Sequence, residues 1–302
     1  MKKRLIFASS LLSSFPAYSY EIAGTGLDVY GSFRLMMEHQ KDGGGSKLKD
    51  ALSRVGVTGS YDLSDGLSAF AKYEVALDLA NDDDSIGDMR YGHIGLNHES
   101  YGSAAIGKVD SPLYQSAGSF ADYMWWDSAP VYYTLDGQLR IDDAIYLSSA
   151  NMGGLKVQAL HQIGSEEDDV EDISQLGASF SHNRFTFGAG ASMTEGDVDT
   201  HSLAISYNQD IFYMSASYIS KKDQGSGVDA LIGVPSGKNL YTLGISDFEA
   251  EESDEDFVAG ILAYQRTLHE KVLFWAEFMV WDGRLYGVDN SNQVNIGMNF
   301  SF

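Results

Sequence analysis

Apolar and polar residues alternate along this chain with a period of two, from residue 27 to the end. In "LDVYGSFRLMM", Leu27, Val29, Phe33, Leu35 and Met37 share one face, and Asp28, Tyr30, Ser32 and Arg34 the other. "LKVQALHQI" sets Leu155, Val157, Ala159 and Ile163 against Lys156, Gln158 and Gln162. "FTFGAGASM" sets Phe185, Phe187, Ala189, Ala191 and Met193 against Thr186, Gly188, Gly190 and Ser192. The chain closes on "QVNIGMNFSF", strictly alternating from Gln293 to Phe302. Such a period predicts strands with one oily and one wet face. Segments of this kind begin near residues 26, 51, 67, 89, 102, 139, 154, 173, 184, 200, 211, 228, 239, 257, 271 and 293. No long stretch carries a helical period.

A second regularity orients these strands. "GSYDLSDGL", "ASFSHNRF", "ISYNQDIF" and "LAYQRTLHEKV" each place an aromatic (Tyr61, Phe180, Tyr207, Tyr264) just before a tight polar turn. The opposite connections, "NDDDSIGD", "GSEEDDVED", "EGDVD" and "EAEESDED", are acidic and predicted to be longer. A soluble sandwich has no need for a ring at every turn of one end. A membrane barrel does, because rings settle at the lipid–water boundary. The expectation is all-β: a 16-stranded antiparallel transmembrane β-barrel. Its spacing, about 18 residues per strand and connection, suits spanning strands of about 10 residues.

Composition narrows the compartment. Lys2, Lys3 and Arg4 precede the short apolar run "LIFASSLLSSFPA", and Ala17 and Ser19 place small residues before Tyr20. This predicts a secretory signal peptide over 1–19 and a barrel domain over 20–302. Without that leader the formal charge falls from −23 to −26. Such acidity excludes the basic surface that nucleic-acid binding requires. There is no cysteine, hence no disulfide or thiolate chemistry. No later segment approaches 18 consecutive apolar residues, so a membrane helix is not predicted.

Three stretches resemble the general porin family of Gram-negative outer membranes: "LDVYGSFRL", "SRVGVTGSYDLSDGLSAFAKYE", and the run from "MRYGHIGL" through "IGKVDSPLY" to "LRIDDAIYLSS". With the terminal phenylalanine, the resemblance covers essentially the whole mature chain. It implies an outer-membrane passive channel for small hydrophilic solutes and ions, assembled as a homotrimer beside lipid and lipopolysaccharide. It implies that Phe300 and Phe302 belong to the signal read by the barrel assembly machinery. It also implies an inward-folded third loop, here 111–138, the longest connection in the chain. By matched motif, Arg54, Arg90 and Arg140 form a basic wall at the constriction, and Asp122 and Asp127 are the candidate loop acids. The Pro-Glu-Phe-Gly-Gly motif of enterobacterial relatives is absent, and Ser32 stands where some relatives carry a lysine. Trp125 and Trp126 either pack the loop against the wall or narrow the opening.

Catalytic chemistry has no constellation here. The seven histidines (His39, His93, His98, His161, His182, His201 and His269) lack metal-ligand spacing, and no Gly-x-Ser-x-Gly elbow occurs. "NDDDSIGDMRYGH" fails the EF-hand pattern. No enzyme, cofactor or metal is expected. Cation selectivity follows from the acidic loops, which enrich cations at the mouth. The competing readings are a substrate-selective porin for a sugar or specific nutrient and, further off, an outer-membrane barrel enzyme or adhesin.

Overall fold

The computed structural model describes residues 20–302 apart from 23–24, 42–44, 82–84, 137, 165–171 and 254. The expected signal peptide, 1–19, lies outside the described residues. Sixteen strands cross the sheet. They are β1 (Leu27–Gln40), β2 (Ser53–Ser64), β3 (Leu67–Leu77), β4 (Ile86–His98), β5 (Gly102–Asp110), β6 (Arg140–Ser149), β7 (Leu155–Gln162) and β8 (Ile173–His182). There follow β9 (Phe185–Thr194), β10 (Asp197–Asn208), β11 (Tyr213–Lys221), β12 (Gly225–Ser236), β13 (Asn239–Ala250), β14 (Phe257–His269), β15 (Val272–Leu285) and β16 (Asn292–Ser301). Every start falls within three residues of the position read from the alternation. Three short pieces pair at the margins: Tyr20–Ile22 with the start of β1, Gly45–Asp50 along its far half, and Val288–Asp289 with the end of β15.

Each strand pairs antiparallel with its sequence neighbours, and β16 returns to β1, so the sheet is a closed barrel. The seam ends at Gly31 and Phe302, whose amides and carbonyls exchange two bonds of 3.0 Å. The Phe302 ring lies 5.1 Å from Phe33, and a Cβ at position 31 would come within 2.5 Å of that ring. Glycine at 31 is what lets the last residue lie flat over the first strand.

Alternation sorts the faces. On β13, Tyr241, Leu243 and Ile245 are exposed while Thr242 and Ser246 are buried. The same outward row then passes to Asp247 and Glu249, which ends the oily band. Exposed rings gather at the short-turn end: Phe185 meets Tyr207 at 4.7 Å, and Tyr241 meets Tyr264 at 5.3 Å. Turns there are tight, such as Asp65-Gly66, both with positive φ. One expectation about the other end needs correcting. "EGDVD" is a two-residue hairpin at Glu195-Gly196, with φ of 52° and 91°, because that pair closes a left-handed turn and Asp197 already belongs to β10. The connection 222–224 has only three residues, so long loops do not crown the whole rim.

The alternation fails on the inner side of β14 and β15. Phe257, Ala259, Ile261 and Ala263, then Leu273, Trp275, Met279, Trp281 and Leu285, are buried where polar residues would stand. They are covered by residues 111–136, which carry two short helices, α1 (Pro112–Ser116) and α2 (Pro130–Leu135). Each helix opens on a proline, whose missing amide costs nothing at that position.

Deleting or charging the final ring should expose the seam. Phe302→Asp is expected to lower the amount of barrel that resists SDS at room temperature and shifts on boiling. Electrophoresis of outer-membrane fractions, unheated and boiled, checks this; unchanged levels would remove Phe302 from assembly.

Candidate functional site

The segment 111–136 is held against the polar face by carboxylates that sit on strands. Glu277 of β15 is 2% exposed and accepts the amides of Trp125, Trp126 and Asp127 at 2.5, 3.0 and 3.1 Å. Asp229 of β12, 3% exposed, accepts Val131 N and Tyr132 N at 3.2 and 3.0 Å and the Ser246 hydroxyl at 2.7 Å. It therefore caps the start of α2, where orphan amides gather. At α1 the Ser111 hydroxyl accepts Tyr114 N at 3.1 Å and donates to Gln175 Oε1 at 2.7 Å. Apolar packing adds to these bonds. Leu113, Met124, Val131, Tyr132 and Leu135 cluster with Ile219, Phe248, Phe257, Ile261, Met279 and Trp281. Each fully buried side chain of that size is worth about 1.5–3 kcal/mol over exposure.

Asp127 points into the wall. It is 1% exposed and accepts Asn295 Nδ2 at 2.7 Å and Gln293 Nε2 at 3.1 Å, both from β16. Burial, and then the charge of Glu277, push its carboxyl well above the usual carboxylate range, against the hydrogen bond from Asn295. Asp122 accepts the hydroxyls of Tyr114 (2.5 Å) and Tyr133 (3.1 Å). Burial raises it too, while those phenols and the charge of Arg140 pull it down. Trp125 stacks on Trp275 with centroids 5.0 Å apart at 18°, and Arg34 lies 4.6 Å from its ring. Trp126 packs with the same cluster as Met36 and Ala51, and Lys49 Nζ stands 5.9 Å from its ring.

Across the sheet, β1–β6 gather five cations: Arg34, Arg54, Lys72, Arg90 and Arg140. Glu74 is their hub, accepting Arg90 Nε at 2.7 Å and the Tyr30 hydroxyl at 2.8 Å. Asp110 accepts the Tyr91 hydroxyl at 2.5 Å, with Arg140 Nε at 3.9 Å. Tyr91 also receives Lys72 at 3.5 Å and Arg140 at 4.5 Å over its ring. Arg54 pairs across the sheet with Ser32 and Ala76 and makes no hydrogen bond or ion pair among the described residues. Arg90 sits at a bulge of β4, passed over in the register between Tyr91 and Met89.

Sequence reasoning picked out Arg54, Arg90 and Arg140, which fall in one cluster, and missed Arg34, Lys72, Glu74, Asp229 and Glu277. A signal existed: "VDALIG" and "FWAEFMVW" each carry one acid inside an apolar strand. Such an acid needs donors.

The sequence model of the Gram-negative porin family matches residues 7–298. The chain belongs to that family. This porin is 20% identical over 244 residues to an outer membrane porin protein of Bordetella pertussis, covering 70% of the chain and 63% of that relative. It thus spans less than two thirds of the relative's length. Among solved structures it resembles OmpT of Vibrio cholerae in its trimer form, with a TM-score of 0.76, 16% identity, and coverage of 91% of this chain and 99% of that one. It also resembles Salmonella typhi OmpF in complex with daunomycin, with a TM-score of 0.78, 14% identity, and coverage of 94% and 100%. At such identity the structures speak for the fold alone. The porin is a protein of the outer membrane.

The contact of Asp127 with β16 is a latch on the segment, and it is expected to weaken with rising pH. A carboxyl whose value is raised on docking favours the docked loop at low pH. That contribution is lost from about pH 4 up to the raised value. The groups facing Asp127 are Glu277, Asn295 and Gln293, with Glu38 adding repulsion and Lys49 opposing it. Current noise through single pores should therefore grow towards alkaline pH and become flatter with pH in Asp127→Asn. Noise independent of pH in the native protein would sink the proton's part in the latch.

Proposed function

We propose that this porin is a general diffusion channel, in which segment 111–138 is the inward third loop that narrows a water-filled pore. The observation that carries this reading is the asymmetry of the inner face. Strands β7–β16 bear the docked segment, whose tryptophans also reach β1 at Arg34 and Met36, while Arg54, Lys72, Arg90 and Arg140 on β2–β6 form a cluster of partly exposed cations beyond it. In this reading Arg54, Arg90 and Arg140, joined by Arg34 and Lys72, form the basic wall. Of the two loop acids, Asp122 is the one that feels the charge of Arg140, with its carboxylate held by the hydroxyls of Tyr114 and Tyr133. Asp127 acts as an anchor. A homotrimer, surrounding lipopolysaccharide and the barrel assembly machinery are the proposed partners; the trimeric form of the Vibrio relative supports the first. Small hydrophilic solutes and ions are the proposed cargo, moved passively and without a chemical step.

The channel is proposed to prefer cations. A formal charge of −23, with acids in the connections of one end, makes a negative mouth that raises local cation concentration. Screening within about 8–10 Å at physiological salt confines that effect to the entrance. The arginines oppose it at short range. The second reading, a sugar-selective porin with tryptophan as stacking surface, finds less support, because Trp125 is already engaged by Trp275 and Arg34.

Reversal potentials under a tenfold KCl gradient test the balance. Arg54→Gln and Arg140→Gln are expected to raise cation preference and change conductance while the heat-modifiable barrel band persists. A native channel that prefers chloride would break the argument from the mouth, and unchanged potentials in both variants would remove these arginines from the pore.

A further inference from the structure

Arg34 and Arg54 are neighbouring guanidinium groups that form no ion pair among the described residues, and the charge of Glu74 reaches both without direct contact. Arg34 uses only Nε in a hydrogen bond, to Ser32 Oγ at 3.1 Å, and its plane is packed over Trp125. Stacking occupies the face of a guanidinium and leaves its in-plane N–H groups available, the geometry that suits a carboxylate. Arg54, whose like-charged neighbours include Arg90 and Arg140, has no acceptor among the described residues. The nearby acids are already occupied. Glu74 is shared by Arg90 and Tyr30, Asp110 faces Tyr91 and Arg140, Asp50 takes the amides of Ser53 and Leu79, and Glu38 pairs with Lys49 at 2.6 Å. Glu277 on β15 and Asp127 on the loop are turned into the docking contacts, and Asp122 towards two phenols. Over Arg34 the loop presents Trp125, stacked on Trp275, and next to it in sequence the partly exposed Trp126, packed on the same cluster as Met36 and Ala51.

We infer that this corner of the pore is a binding site for a small aromatic carboxylate, its carboxylate bridging Arg34 and Arg54 and its ring lying against Trp126. The inference rests on the channel reading, since the solute reaches the site from the pore water. Cationic donors with an aromatic neighbour favour an amphipathic organic anion over a small hydrated one. The carboxylate finds charge-assisted bonds, and the ring replaces water on an indole edge. A benzoate held there would interrupt the potassium current.

The test is benzoate added to one side of single pores in a planar bilayer in KCl, against acetate and benzyl alcohol. Benzoate is expected to interrupt the current at concentrations roughly tenfold below acetate, and benzyl alcohol to leave it unchanged. Loss of a charge-assisted bond should raise the half-blocking concentration roughly tenfold or more in Arg54→Gln and Arg34→Gln, with an intermediate value for Arg54→Lys. Trp126→Leu should erase the difference between benzoate and acetate and spare the arginine dependence. The unheated barrel band of each variant reports folding independently. Pores that conduct but respond to benzoate no more than to acetate would overturn the site and leave the channel standing; so would equal block in native protein and Arg54→Gln. Protein that forms barrels yet passes no current would overturn the channel reading itself.

Discussion

Everything in this molecule follows from the need to pair backbone groups where no water can reach them. In hydrocarbon an unpaired amide or carbonyl costs several kcal/mol, and a sheet escapes that cost only by closing on itself. Closure joins β16 to β1. It also brings the start of β1 and the end of β16 together at the short-turn rim, with Phe302 laid over Gly31 and against Phe33. A closed sheet has two faces and no edge. The outer face is committed to lipid, so any selectivity must be built on the inner one.

The inner face meets two conflicting demands. It has to stay polar where water passes, yet it must grip a segment of more than twenty residues that belongs to no strand. The strands divide the work. On β14 and β15 the inner rows turn apolar and receive the helices and the tryptophan, with Glu277 placed among them to take three successive amides. Asp229 does the same for α2. Acceptors on the rigid wall thereby replace the water that the loop backbone loses on docking, as buried backbone groups require. Replacing either acid by an apolar residue would leave two or three amides without partners, at about 1–3 kcal/mol each.

This division explains what the sequence could and could not tell. Period-two alternation is a property of each strand alone, so sixteen strands and their starts were legible, as was the aromatic row at one rim. The short outer hairpin at Glu195-Gly196 was missed because acidity was read as loop, whereas the left-handed pair decides the turn. Docking residues were hidden for a different reason. Whether Asp127 faces water or Asn295 depends on which wall the loop meets, and nothing local to "MWWDSAP" encodes that. Arg54 was visible by its matched motif; Lys72 and Glu74 share one face of β3, but only the register across β2 and β3 brings them beside it.

Electrostatics inside the barrel then follow from how the loop is held. A loop acid can oppose the basic wall only if its carboxylate is left facing water. Here the acids nearest the tip accept protein donors instead, Asp127 from β16 and Asp122 from two tyrosines. The anchoring that fixes the loop therefore weakens the negative side of any transverse field. On the opposite side, Arg34 is held by Ser32 and Trp125, neither of which neutralises it. Positive potential beside the docked segment is thus a consequence of the docking chemistry. The placement of five cations on β1–β6, beside loop acids already engaged by protein donors, is what the docking leaves for the water within the barrel.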